Sequence, residues 1–347
     1  MEGLLSIETT GTIGEVLALL FADMLRAAGT ALTGPWVHRI DPIIGSIGGV
    51  HFWWYGLSYA AGFASAHLVL RRNRERLGLS LRSVYDLTLL LAFGALAGGR
   101  SLVVFVNEWP FYREHLWLVP AIWVGGLATH GLILGGAFGV LVFCLLRGVP
   151  FRPVFDVLAV AAALILGCGR IGNFIDGQIV GRITTVPWAV KFPEADGFRH
   201  PVVLYDGLKN FLLVPVLLWV SRRGAPPGRL AALFVLLYPA LRIPIDLYRE
   251  YPIDVWGLPA GQTYNLLMTL AGALLLLRNW LRRPEPRAWR EDGSDRAAGR
   301  GLWWRRVVFA GLLVLVLTIP SDATRDVPVH YGHRHPGLTH SVLYPPL

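Results

Sequence analysis

Seven predominantly apolar stretches recur along the chain, each close to the roughly 20 residues that a helix needs to cross a hydrocarbon core of about 30 Å. With loose boundaries they are Phe52–Leu70, Val84–Val106, Trp123–Leu146, Pro153–Ile175, Leu204–Val220, Leu230–Leu247 and Thr263–Leu277. An eighth run, Val307–Ile319, is short unless residues 302–304 extend it. Ile13–Ala27 has the apolar spacing of a helix with a polar face and reads as a segment lying on the outer leaflet. The expected fold is therefore all-α, a polytopic transmembrane bundle of seven core spans with a candidate eighth. Its expected organisation is an interfacial segment (1–51), the core (52–277), a basic linker (278–306), the candidate eighth span (307–319) and a polar His-containing tail (320–347). No fixed-period repeat appears.

Composition agrees with this division. The 347 residues are 54% hydrophobic and 16% charged, whereas soluble domains carry about 25% charged side chains. Soluble-enzyme readings fall first. The net charge of +9 would suggest nucleic acid in a soluble protein, but the basic residues cluster between apolar blocks. Alternate connections (71–82, 147–152, 221–229, 278–306) hold nineteen Lys and Arg, against five in the others. That asymmetry puts the first set in the cytoplasm, and the N-terminus and the 177–203 loop outside. Residues 1–40 carry Glu2, Glu8, Glu15 and Asp23 and lack the pattern of a cleaved signal peptide. Cys144 and Cys168 lie inside apolar runs and are assigned to packing.

Ionisable groups inside spans cost about 3 kcal/mol or more each at mid-bilayer and need partners or a wet cavity. Arg100 follows a glycine pair in the second span. His130 and Gly131 lie among glycines in the third, and Arg170, Asn173, Asp176 and Gln178 close the fourth. Tyr238, Arg242 and Asp246 recur at i, i+4 and i+8, giving a phenol, a guanidinium and a carboxylate on one helix face. Arg242 and Asp246 alone could be a neutralising pair, but three buried arginines outnumber the acids expected beside them. The surplus suggests an anionic ligand, and the guanidinium fork matches phosphate oxygens two at a time. His130 is open to two readings, a packed histidine or a catalytic one. Gly135, Gly136 and Gly139 read as helix packing. The histidines at 330, 333, 335 and 340 lack a completing thiol or carboxylate, so no metal site is expected. Motifs of serine hydrolases, zinc proteases and nucleoside triphosphatases are missing from the sequence.

An ordered series of motifs resembles the bacterial prolipoprotein diacylglyceryl transferases. It comprises Trp54-Tyr55-Gly56, Gly98-Gly99-Arg100, Gly125-Gly126 with His130-Gly131, and Gly169 through Ile175. Gly181-Arg182, Arg199-His200-Pro201 with Leu204-Tyr205, Tyr238 with Arg242, and Gly261-Gln262 complete it. The resemblance covers about Phe52 to Leu277 and implies a multi-pass enzyme of the bacterial inner membrane. It implies transfer of the diacylglyceryl group of phosphatidylglycerol to the lipobox cysteine of a prolipoprotein signal peptide, with release of glycerol phosphate. The bilayer is then a partner, nucleic acid is not, and no cofactor or metal is implied.

The same resemblance assigns catalytic roles to His130, Arg170, Tyr238 and Arg242. It puts Tyr55, Arg100, Gly131, Asn173, Asp176, Gln178, Gly181 and Asp246 at the substrates. The group that takes the thiol proton stays open between His130 and an arginine-bound phosphate oxygen. Departures from the family pattern are Asp176-Gly177-Gln178 for Asn-Gly-Glu, Asp206 and Asp246 for glutamates, Pro239 for a glycine and Leu132 for a glycine. They leave room for a divergent, non-catalytic lipid-binding relative. An anion transporter is the third reading, with no paired inverted halves to support it.

Overall fold

The computed structural model describes residues 35–177, 179–193, 195–250, 254–255, 258–281 and 301–321. Within them the chain is mostly helical. The long helices are α1 (Trp54–Arg72), α2 (Leu81–Leu102), α3 (Thr129–Arg147), α4 (Phe151–Asp176), α5 (Val202–Arg222), α6 (Arg229–Asp246), α7 (Ala260–Leu281) and α8 (Leu302–Leu317). A π-helical turn, Val103–Asn107, prolongs α2. Among the described residues, four helices are long and apolar enough to cross a membrane: Leu81–Asn107, Thr129–Arg147, Phe151–Asp176 and Val202–Arg222. Helix α6 carries Arg229, Arg242 and Asp246 within its 18 residues, which lowers its mean hydropathy although it packs inside the bundle.

Strands are short and peripheral, a departure from a purely helical expectation. β1 (Trp36–Val37) pairs in parallel with β4 (Val190–Lys191). β2 (Ile43–Ile47) and β3 (Val50–Trp53) form a hairpin, as do β5 (Asp254–Val255) and β6 (Leu258–Pro259). The β1–β4 pair ties the chain before α1 to the 177–203 loop. Trp36, His38, Phe174 and Phe192 stack around it, and His38 Nε2 lies 2.8 Å from the Phe174 carbonyl oxygen.

Absent side chains set the closest helix crossing. A Cβ on Gly98 of α2 would meet the Gly131 carbonyl oxygen of α3 and, at 2.7 Å, the Gly135 Cα. Gly131, Gly135 and Gly139 would in turn strike the carbonyls of Gly98, Gly94 and Leu90. Small residues let two backbones touch, and dispersion contacts then hold the helices where the hydrophobic effect gives little.

The third span differs from its expected bounds. Helix α3 starts at Thr129 rather than Trp123, because Gly125 and Gly126 adopt φ of 87° and 75° after a single 3₁₀ turn, Ile122–Val124. His130 consequently lies in the first turn of a helix. The basic linker also shrinks, since α7 continues to Leu281 and α8 already begins at Leu302.

Helix α8 includes residues 302–304 and packs against α1 and α2 through Phe309, Leu312 and Val316, beside Tyr59, Phe63 and Leu96. Near its start, Arg305 clasps Asp86 with Nε–Oδ1 at 2.5 Å and Nη2–Oδ2 at 3.0 Å, and Asp86 also binds Arg147. At its other end the Leu317 carbonyl oxygen comes so close to Gly56 that a Cβ would sit 2.6 Å from it. There Ser321 N donates to Asp176 Oδ2 at 3.2 Å. Helix α8 thus reaches from the level where α2 begins to the level where α4 ends. The interfacial segment 13–27, the polar part of the linker and the histidine tail lie outside the described residues.

Candidate functional site

Helix periodicity brings the chemistry together. Arg170 and Asn173 share a face of α4, Asp206 and Lys209 share one of α5, and Tyr238, Arg242 and Asp246 share the inward stripe of α6. All seven side chains are buried. Asp206 is the hub. Its Oδ2 lies 2.6 Å from Arg170 Nε and 3.4 Å from Arg242 Nη1, and its Oδ1 lies 2.7 Å from Lys209 Nζ. Arg170 Nη1 donates to Asn173 Oδ1 at 2.9 Å, and Arg242 Nη1 donates to Tyr238 Oη at 3.0 Å. Arg242 Nε stands 3.5 Å from Asp246 Oδ2, which accepts from Asn265 Nδ2 at 2.7 Å. Gln262 Nε2 donates to the Ile243 carbonyl oxygen that the end of α6 exposes.

The geometry answers one question that the sequence leaves open. Arg242 does pair with Asp246, yet it also joins Arg170 at Asp206, so two guanidiniums from different helices converge on one carboxylate. Breaking such a buried pair costs about 3–5 kcal/mol, because the survivor is stranded in a poor solvent. The convergence holds two planar donor forks side by side, an arrangement suited to a tetrahedral oxyanion.

Around this centre stand groups from three more helices. His130 approaches from the start of α3, its ring 5.1 Å from that of Tyr264. Its imidazole interacts with the Asn265 side chain, and Arg242, Asp246 and Arg170 lie within its electrostatic reach. Tyr55 and Tyr59 of α1, with ring centroids 4.9 Å apart, complete the wall that faces Arg170.

Other expected residues sit elsewhere. Arg100 donates from Nε to the Val119 carbonyl at 3.0 Å, from Nη1 to that of Gly125 at 2.5 Å and from Nη2 to that of Leu118 at 2.6 Å, and its guanidinium rests on the Tyr112 ring. Its donors therefore serve a loop and not the arginine pair. Gly131 faces Gly98 in the α2–α3 crossing. Gly181 packs under His200 in the 177–203 loop and accepts from Arg199 Nη1 at 3.1 Å. Asp176 is buried and receives the Ser321 amide. Gln178 lies outside the described residues.

Lys209 and Asn265 belong to none of the sequence motifs, and Asp206 figures there only as a shortened acid. A signal existed for two of them: Asp206 and Lys209 interrupt an apolar run at a spacing of three, which puts both on one helix face. Asn265 carries no comparable mark, since an amide near a span end is ordinary.

Two cavities adjoin the centre. An apolar one of about 180 Å³ is walled by Tyr59, Phe63, Leu132, Ile133, Leu166 and Phe234. A larger one of about 530 Å³ has Asp246, Gln262, Arg182, Arg249 and Glu250 on its walls. Tyr59 borders the first and Asp246 the second, where the charged side chains share the wall with Ile243, Leu247, Leu258 and Leu266.

A profile of the prolipoprotein diacylglyceryl transferases matches residues 42–278. The chain is 37% identical over 227 residues to the phosphatidylglycerol–prolipoprotein diacylglyceryl transferase of Geobacter sulfurreducens, covering 64% of this chain and 87% of the relative. It is 34% identical over 251 residues to the enzyme of that name from Bordetella avium, covering 69% and 94%. With the Brucella canis enzyme of that name it shares 33% over 274 residues, covering 75% and 94%. The match takes in α1 to α7 and stops before α8, and on its strength the chain belongs to the prolipoprotein diacylglyceryl transferase family.

Proposed function

We propose that this protein transfers the diacylglyceryl group of phosphatidylglycerol to the lipobox cysteine thiol of a prolipoprotein signal peptide. The observation that carries the reading is the pair of buried guanidiniums, Arg170 and Arg242, converging at Asp206, next to Asp246, which lines the larger cavity. The phosphodiester of the lipid binds across that pair, with acyl chain in the apolar compartment and the glycerol headgroup toward Asp246 and Arg249. Asn173 and Tyr238 hold the guanidinium planes.

In the reaction the thiol loses its proton, and the sulfur attacks the glyceryl carbon that carries the phosphate. A C–S bond forms, the C–O bond breaks, and glycerol phosphate leaves with the electron pair. Charge builds on the leaving phosphate, so fixed cations aimed at it lower the barrier. We assign the thiol proton to His130, whose imidazole lies beside Asn265 and within electrostatic reach of Arg170 and Arg242. Tyr55 and Tyr59 shield that step from water.

The same reading makes α1 to α7 seven crossings of the bacterial inner membrane with the N-terminus outside, supported by the uneven Lys and Arg content of the connections. The α8 helix is an eighth crossing, supported by its contacts from Asp86 to Asp176. The test is purified full-length protein in mixed micelles with phosphatidylglycerol and a lipobox peptide. The peptide should gain one diacylglyceryl mass while glycerol phosphate appears in equal amount. Absence of both products from protein that remains folded would refute the reading.

A further inference from the structure

Lys209 is one of only two lysines among 32 basic residues, and it lies in the middle of α5 rather than at a membrane-facing end. It is 7% exposed. Its Nζ lies 2.7 Å from Asp206 Oδ1, donates to the Tyr238 carbonyl oxygen at 3.1 Å, and stands 4.0 Å from the centroid of the Tyr238 ring. An ammonium has three N–H donors, and these three neighbours engage them. Lys209 therefore acts on a ligand only through Asp206 and Tyr238.

What it does there follows from the charges. A carboxylate shared by two guanidiniums cancels part of the field they present to an incoming anion. Asp206 turns Oδ2 to Arg170 and Arg242, and its other oxygen to Lys209. The ion-paired set holds three cations, Arg170, Lys209 and Arg242, and two carboxylates, Asp206 and Asp246. Its sum is one positive charge, and without Lys209 it would be zero. A phospholipid phosphodiester carries one negative charge.

We propose that Lys209 is a positioning residue for anion binding, offsetting Asp206 so that the Arg170–Arg242 pair keeps one net positive charge for the lipid phosphodiester. The inference rests on the diacylglyceryl transfer reading. It assigns Asp206 the alignment of the arginines and Lys209 the charge that this alignment would otherwise consume.

Kinetics of the full chain in mixed micelles, with phosphatidylglycerol varied as surface fraction, test it. Lys209→Met keeps an unbranched side chain of similar length without the charge. It should raise KM for phosphatidylglycerol at least tenfold while kcat stays within threefold of the parent. Combining it with Asp206→Asn restores the sum to one positive charge but removes the carboxylate that aligns the arginines, so KM should fall at least threefold below that of Lys209→Met alone without reaching the parental value. That double variant buries no charge at either position, so it remains informative if the single variant fails to insert. A Lys209→Met protein with parental KM overturns the proposal, as does a double variant whose KM is no lower than that of Lys209→Met alone. A structural role alone would lower thermal stability and active fraction without this recovery of KM. A parent chain that forms no product from phosphatidylglycerol overturns the transfer reading and this inference together, whereas an active parent with an unaltered Lys209→Met overturns the inference alone.

Discussion

Arg100 Nη1 lies 2.5 Å from the carbonyl oxygen of Gly125, a residue whose φ of 87° ends the 3₁₀ turn before α3. With Leu118 and Val119 also bound to the same guanidinium, one side chain ties together three carbonyls of the loop, of which that of Leu118 also accepts from the Ala121 amide. Buried backbone outside a helix ladder persists only where such partners exist. The loop in turn delivers His130 to the site.

Arg100→Met should therefore act on architecture. Each stranded carbonyl costs about 1–3 kcal/mol, so the thermal midpoint in detergent should fall sharply, and amide exchange across residues 118–128 should accelerate. Residual folded protein should retain the parental KM for lipid. A raised KM at unchanged stability would instead return Arg100 to the phosphate.

Arg170→Lys and Arg242→Lys should each lose 10²–10³-fold in turnover, or about 3–4 kcal/mol, because a point charge replaces a two-pronged contact. Both keep the net charge, so they separate geometry from charge, complementing the Lys209 variants. Turnover within threefold of the parent in normally inserted protein would rule out the phosphate clamp.

Gly131→Ala should fail as a fold, since its Cβ would meet the Gly98 carbonyl oxygen and lie 2.9 Å from the Gly99 Cα, and neither backbone can yield cheaply. Overpacking of this kind costs about 1–3 kcal/mol. Lower accumulation and a lower thermal midpoint should accompany it. Catalytic loss without destabilisation would point to a substrate contact at Gly131.

Single cysteines in a chain whose Cys144 and Cys168 are replaced by Ala should report the topology. Positions 75 and 222, exposed in the described structure, should react with an impermeant reagent only from the cytoplasm, and position 196 only from outside. A cysteine at Gly337 should react from outside, as an α8 that crosses fully requires. Cytoplasmic reactivity there would leave α8 short of a crossing.

Apolar run length and the placement of charges already determined the number and approximate position of the long helices, because the cost of exposing backbone or charge to hydrocarbon is local and large. The i, i+4, i+8 stripe of Tyr238, Arg242 and Asp246 was legible for the same reason: helix geometry alone puts three such residues on one face. The ordered glycine, arginine and histidine motifs carried the family. Partnership was not legible. That Arg170 meets Asp206 from α5, that Lys209 occupies the other oxygen of that carboxylate, and that Arg100 holds a loop while Arg242 joins the centre all depend on how separate helices are rotated and stacked. The same holds for Asp176, which receives the amide of Ser321 from the segment that follows α8, beyond the family's span. Spacing along one helix is a short-range property of the chain, whereas contacts between helices are decided by glycine crossings and buried ion pairs that close only in the assembled bundle.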